Sequence, residues 1–93
     1  MLDIERSQTQ RTIVRQFLGK IKEETGCEDC GKSFPYYVLD FDHVRGEKTH
    51  SISYMCRWYS LEEIGIEMNK CEIVCSNCHR ARTHKRIQKD TDD

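Results

Sequence analysis

The chain has 93 residues, of which 37% are hydrophobic and 33% are charged, and its formal net charge is −1. One domain is expected at this length, and a core of this size often needs a disulfide or a metal ion to stabilise it. No apolar run approaches the length of a membrane-spanning segment, and the first residues, MLDIER, lack the apolar region of a signal peptide. We therefore expect a cytoplasmic protein, in which thiols stay reduced.

The first predicted element is a helix over residues 7–25. Ser7 and Gln10 resemble a capping box, and Gly26 is a typical helix stop. The apolar residues that recur at helical spacing are Ile13, Val14, Phe17, Leu18 and Ile21. We expect this stripe to pack on the core of the protein, and a dimer or partner surface is the alternative.

The middle of the chain predicts one strand and an irregular connection. Residues 36–44, with the sequence YYVLDFDHV, are rich in β-branched and aromatic side chains, which favour a strand. Residues 45–48 are turn-like. Residues 49–59 predict a loop or a weak strand.

The last third of the chain predicts helix, strand and helix. The sequence SLEE, which begins at Ser60, resembles a capping box and starts a short helix that ends near Asn69. Residues 72–74 predict a short strand, and residues 76–88 predict the final helix. An acidic tail follows at residues 89–93.

Four of the six cysteines form two CxxC pairs, CEDC and CSNC, which together supply a tetrahedral set of thiolates for Zn²⁺. The predicted zinc ligands are Cys27, Cys30, Cys75 and Cys78. Gly31 follows the first pair and permits the positive φ of a zinc knuckle. A redox role for the pairs is the alternative. Cys56 and Cys71 lack a CxxC partner and are expected to be free thiols, Cys56 in a loop and Cys71 near the core.

The last stretch of the chain carries five basic residues, which are Arg80, Arg82, Lys85, Arg86 and Lys89. A basic face on a nearly neutral protein fits a contact with nucleic-acid phosphates. A solvated helix face is the alternative.

Three motifs in this chain resemble the HNH nuclease family, which has a ββα-metal core. The motifs are CEDCG, LDFDHV and CEIVCSNCHRART, and they occur in this order within residues 27–86. The likeness is greatest to the small zinc-containing members of phages and bacteria. It implies an α+β fold with a treble-clef-like ββα-metal core stapled by a four-cysteine zinc, an N-terminal helix and a short helix between the strands. The single nuclease domain would span residues 1–93, with the N-terminal helix in 1–26, the core in 27–88 and the tail in 89–93.

The resemblance implies a role for each polar residue of the motifs. His43 matches the general base, which takes a proton from the attacking water. Asp42 and His79 match the ligands of a catalytic divalent ion, Mg²⁺ or Mn²⁺. Some members carry a further ligand one helical turn after the last histidine, but His84 lies one residue beyond that turn. The family's asparagine steadies the loop that carries the general base, and its nearest match here is Asn69, with a shifted alignment.

These roles imply a metal-dependent DNA endonuclease that hydrolyses phosphodiester bonds in the cytoplasm of a bacterial or phage-infected cell. DNA would be bound through its backbone phosphates, and the residues expected to bind them are Arg80, Arg82, Lys85 and Arg86. A cut through both strands would need a homodimer or two encounters. One alternative is a non-catalytic zinc module that binds nucleic acid or protein. The other is a nuclease subunit of a larger phage or restriction assembly, such as the terminase that packages phage DNA.

Overall fold

A computed structural model of the chain describes residues 5–91, and side chains through residue 89. The described part contains four α-helices, a 3₁₀ turn and a two-stranded sheet. In chain order these are α1 Gln8–Thr25, the 3₁₀ turn Tyr36–Val38, β1 Leu39–His43, α2 Ile52–Trp58, α3 Leu61–Met68, β2 Cys71–Cys75 and α4 Ser76–Thr91. The protein is therefore a small α+β fold, as its sequence predicts. Most of the predicted acidic tail lies outside the described side chains.

The two strands pair antiparallel in a register that places the sequence motifs side by side. Leu39 lies opposite Cys75, and His43 lies opposite Cys71. Because β2 runs directly into α4, the second CxxC pair begins on the sheet and ends on the first turn of that helix. The long connection between the strands carries α2 and α3.

The apolar core consists of two clusters that share partly buried side chains. The first joins α1, α2 and α3 and contains Val14, Leu18, Ile52, Met55, Cys56 and Ile64. The second joins the first cysteine knuckle to the sheet and contains Cys27, Leu39, Ile73, Val74 and Cys75. Ile21 and Phe41 pack against both clusters and so connect the helical part to the sheet.

Both predicted capping boxes are present. In α1, the hydroxyl of Ser7 accepts a hydrogen bond from the backbone N–H of Gln10, whose side chain accepts from the N–H of Ser7. Gly26 ends this helix with a φ of 76°, in the region that favours glycine. In α3, Ser60 and Glu63 form the same reciprocal pair.

The predicted strand over residues 36–44 is wrong at its start. Tyr36–Val38 forms a 3₁₀ turn, in which Val38 N–H donates to the carbonyl of Pro35. The backbone N–H of Tyr36 donates to the Glu23 carboxylate on α1, and the Tyr36 ring lies against Gly19. These contacts with α1 outweigh the β-propensity of the two tyrosines.

The predicted loop or weak strand over residues 49–59 is also wrong, because most of it is α2. The Ser51 hydroxyl accepts from the N–H of Tyr54 and caps this helix. Ile52, Met55 and Cys56 follow at helical spacing and are buried. Cys56 therefore lies in the core and not in a loop, and burial raises the pKa of its thiol.

The apolar stripe of α1 packs on the core only along its inner half. Val14 and Leu18 are buried, and Ile21 is partly buried, as expected. Ile13 and Phe17 are each more than half exposed. No helix within residues 5–91 combines the length and the apolarity needed to cross a membrane.

Two isoleucines of α3 offer a matched test of this packing. The side chain of Ile64 is 1% exposed, whereas that of Ile66 is 60% exposed. We expect Ile64→Ala to lower the free energy of unfolding by about 2–5 kcal/mol, because it leaves a cavity between three helices. Ile66→Ala should change it by less than about 0.5 kcal/mol. Chemical denaturation measures both, and equal losses would contradict the packing of α3.

Candidate functional site

Four cysteine thiols from the two ends of the fold meet in one cluster. The Sγ atoms of Cys27, Cys30, Cys75 and Cys78 all lie within 4.8 Å of one another. Tetrahedral zinc with Zn–S bonds of about 2.3 Å keeps its sulfurs about 3.8 Å apart, so the cluster fits this ion. Among the described residues it is the one group of three or more His, Cys, Asp or Glu side chains with metal-binding spacing. The predicted zinc ligands are thus brought together as a possible metal site.

Backbone N–H groups point at the sulfurs of this cluster. Cys27 Sγ accepts from Cys75 N at 3.2 Å and from Cys30 N at 3.5 Å, and Cys75 Sγ accepts from Cys78 N at 3.5 Å. Burial alone would raise the pKa of the Cys27 thiol, but these N–H donors outweigh it and lower the pKa to about 6. The backbone around Cys27 therefore stabilises its thiolate, the form that binds metal, whereas the neighbouring cysteines raise the pKa of the Cys78 thiol to about 12.

Cys71 lies outside this cluster. Its thiol packs on the helical core and is 3.6 Å from the carbonyl of Glu67. Burial and the nearby Glu67 carboxylate raise the pKa of Cys71 to about 11, which disfavours the thiolate.

A second polar cluster lies where the first turn of α4 meets β1. His79 Nδ1 is 3.0 Å from Asp40 Oδ2, and His79 Nε2 is 3.5 Å from Asp42 Oδ1. Alternate residues of a strand share a face, so Asp40 and Asp42 both lie beside this helix. Sequence reasoning missed Asp40, although its two-residue spacing from Asp42 was a usable signal.

Two arginines of α4 donate hydrogen bonds to the carboxylate of Asp42, whose side chain is only 5% exposed. Arg82 donates to Oδ2 at 2.8 Å, and Arg86 donates to both oxygens at 2.8 and 3.0 Å. Burial would raise the pKa of Asp42, but these guanidinium groups lower it to about 2. The role of Asp42 as a metal ligand stays a prediction, and an ion there would compete with two guanidinium groups.

Only some of the basic residues predicted on α4 form these ion pairs. Arg82 also bonds Asp29, inside the first knuckle, and Glu72, on β2. Arg82 and Arg86 are therefore engaged with carboxylates rather than turned freely to solvent. The basic side chains of α4 outside these ion pairs are Arg80, His84, Lys85 and Lys89, and all four are exposed.

His43 lies at the end of β1 and pairs with a buried carboxylate of α3. Its Nε2 atom is 2.9 Å from Glu67 Oε2, and the two side chains are 14% and 3% exposed. Glu67 also accepts from the N–H of Thr49 and from Lys70 Nζ, each at 2.9 Å. Sequence reasoning offered Asn69 as the residue that steadies the base, but within residues 5–91 the side chain that hydrogen-bonds to the His43 ring is Glu67.

One open cavity of about 290 Å³ reaches both histidines. Its polar lining includes Asp40, His43 and His79 together with two lysines, Lys22 and Lys48. Burial lowers the pKa of Lys22, and the nearby Asp40 carboxylate counteracts this effect. The cavity thus combines imidazole, carboxylate and ammonium groups, which can respectively accept a proton, bind a cation and bind an anion.

Comparisons with models of protein families, with curated proteins and with solved structures found no match to this chain.

We expect zinc binding to depend on the four-cysteine cluster alone. Cys30 is exposed, so Cys30→Ala removes one ligand without opening a core cavity. This variant should bind zinc more weakly and melt at a lower temperature, because structural zinc contributes directly to folding. Cys71→Ala, a change outside the cluster, should keep about one zinc ion per chain. Elemental analysis after dialysis distinguishes them, and equal zinc content in both variants would contradict the assignment.

Glu67 should make stability depend on pH in the acidic range. Burial opposes its ionisation, yet hydrogen bonds from Lys70, Thr49 and His43 lower its pKa from 4.5 to about 2. This stabilisation is present above the unfolded pKa and is lost as pH falls towards 2, with a limit of roughly 3 kcal/mol.

Glu67→Gln tests this pH dependence. We expect the variant's deficit in unfolding free energy, relative to the wild type, to shrink as pH falls from about 5 to about 3, because the unfolded carboxylate binds a proton in this range while the native one stays charged. Comparing the two proteins at each pH cancels any loss of metal that they share. Parallel stability curves would show that the Glu67 carboxylate has an ordinary pKa. Glu62→Gln, on the exposed face of the same helix, is the control.

Proposed function

We propose that the protein is a metal-dependent DNA endonuclease of the HNH type, with a zinc-stapled ββα-metal core. The observation that carries this proposal is the cavity in which His43 lies together with the paired side chains of Asp40 and His79. A base, a pair of cation ligands and lysines for a phosphate are the parts that phosphodiester hydrolysis needs.

The order of elements supports a ββα-metal core. β1 ends in the Asp-His pair, and β2 leads into α4, whose first turn carries His79. The four-cysteine cluster fixes the start of α4 against the first knuckle, and the antiparallel pairing fixes β1 beside it. These constraints place His79 next to the strand that carries the acidic residues.

Asp40 and His79 are the pair best suited to hold a divalent ion. Adjacent ligands of an octahedral ion with bonds of about 2.1 Å lie about 3 Å apart, and Asp40 Oδ2 and His79 Nδ1 are separated by 3.0 Å. Their side chains are 44% and 34% exposed, so both ion and substrate can reach them. When bound, the ion would neutralise phosphate charge and stabilise the leaving oxygen. Asp42 would become a third ligand only if Arg82 and Arg86 no longer paired with its carboxylate.

In this proposal, the other polar groups of the cavity activate the water or bind the phosphates of the substrate. His43 takes a proton from the attacking water. Lys22 and Lys48 lie in the same cavity and attract the scissile phosphate. Arg80 and Lys85 are exposed on α4 and contact neighbouring phosphates, whereas Arg82 and Arg86 hold Asp42 in place. None of these groups reads a base, so the binding is independent of sequence.

The network around Asp42 favours a second candidate, a zinc module that binds nucleic acid or protein without cleaving it. Two guanidinium groups already neutralise Asp42, the buried acid that the family resemblance offers as a metal ligand. A structural role for this acid needs no catalytic ion. Cleavage activity separates the two candidates, because a binding module would bind DNA and leave it intact.

Nicking of supercoiled plasmid by the zinc-loaded protein, in Mg²⁺ or Mn²⁺, tests the proposed activity. We expect His43→Ala, His79→Ala and Asp40→Ala each to reduce the rate by at least about 100-fold, because each removes a base or a ligand. Asp42→Ala tests the family-implied ligand in the same series. His84→Ala is the matched control and should keep the wild-type rate.

Zinc content and melting temperature are measured for every variant, so that a loss of activity is not confused with a loss of fold. A wild-type rate in His43→Ala would remove the base assignment. Absence of nicking by the wild type, together with intact DNA binding, would establish the binding module instead. Activity that appeared only after a phage or restriction partner was added would indicate a subunit of a larger assembly.

A further inference from the structure

We propose that Glu67 is the positioning residue that sets the tautomer of His43 and aims its free nitrogen at the cavity. This inference rests on the proposed function for its catalytic consequence. Its structural part, the tautomer of His43, stands independently and can be measured without any cleavage.

The first step is the ionisation of Glu67. Its carboxylate is 3% exposed and has three hydrogen-bond partners on different segments of the chain. Lys70 Nζ reaches Oε1, while the N–H of Thr49 and the His43 ring reach Oε2, each at 2.9 Å. A buried carboxylate with an ammonium partner and a backbone donor remains charged, because these donors replace its lost hydration.

The second step is the direction of the hydrogen bond to His43. An ionised carboxylate only accepts hydrogen bonds, so His43 Nε2 must be the donor. In the neutral ring the proton then resides on Nε2, and the lone pair resides on Nδ1. Within residues 5–91, Nδ1 makes no hydrogen bond, and His43 lines the cavity beside Asp40 and His79. Nδ1 is therefore the nitrogen available to take a proton from water.

The third step is how Glu67 itself is fixed. Lys70 also donates to the carbonyl of Glu47 and to the hydroxyl of Thr49. The carbonyl of Lys70 accepts from the N–H of Val44, directly after the strand that carries His43. The end of α3 and the loop after β1 are thus joined through Glu67 and Lys70. Glu67 supplies the orientation that the family resemblance assigned to an asparagine.

Nuclear magnetic resonance of the zinc-loaded protein tests the tautomer directly. We expect the ring nitrogens of His43 to show the Nε2–H tautomer at mildly alkaline pH. Glu67→Gln should give a mixture of tautomers, because the amide can either accept from the ring or donate to it. Glu62→Gln, on the exposed face of α3, should leave the spectrum unchanged. An Nδ1–H tautomer in the wild type, or an unchanged tautomer in Glu67→Gln, would overturn the proposal.

Plasmid nicking tests the catalytic consequence. We expect Glu67→Gln to lower kcat by roughly 10–100-fold with little change in KM, since the residue acts through the base and not on the substrate. In a His43→Ala background the same change should have no further effect. An additive loss, or a loss confined to KM, would contradict the positioning role. If the wild type does not nick, the proposed function fails, and the tautomer measurement still decides whether Glu67 orients His43.

Discussion

The convergence of four thiols is the constraint on which the rest of the structure depends. Cys27 and Cys75 belong to the second apolar cluster, so the possible metal site is continuous with the core rather than attached to its surface. By joining the first knuckle to the start of α4, this cluster fixes where the helix leaves the sheet. His79 follows the last cysteine directly, and its position beside β1 is a consequence of that geometry.

A network of ion pairs extends this constraint along α4. Arg82 connects Asp29 in the first knuckle, Asp42 on β1 and Glu72 on β2, so one guanidinium joins three segments that are distant in the chain. Isolated surface ion pairs contribute little to stability, but Asp42 is buried, and removing its partners would leave an uncompensated charge. The network therefore orients the side of α4 that faces the sheet. The opposite side remains available to solvent or to a partner.

Local signals in the sequence predicted much of the fold. The two capping boxes, Gly26 and the paired CxxC motifs each act within a few residues, and the structure has the helix starts and the cysteine cluster that they predicted. The failures depend on tertiary contacts. The turn at Tyr36 forms against α1, and α2 becomes a helix because Ile52 and Met55 are buried between α1 and α3. Secondary-structure propensity alone gives no information about these tertiary contacts.

The candidate site was likewise predicted in part, since motifs identified some of its residues but not their partners in the folded chain. The sequence singled out His43, Asp42 and His79 through motifs, but it could not show that Glu67 contacts His43 or that two arginines cover Asp42. These pairings join residues more than twenty positions apart, and several oppositely charged partners were available to each. Asp40 was the exception, since strand alternation already placed it on the face of Asp42.

The most direct test of the central claim is a crystal structure of the zinc-loaded protein soaked with Mn²⁺, with anomalous scattering recorded for each metal. The account predicts zinc within the four cysteines and a separate manganese peak in contact with Asp40 and His79, in the cavity that His43 lines. A zinc peak alone, with His79 still hydrogen-bonded to Asp40 at high Mn²⁺ concentration, would contradict it.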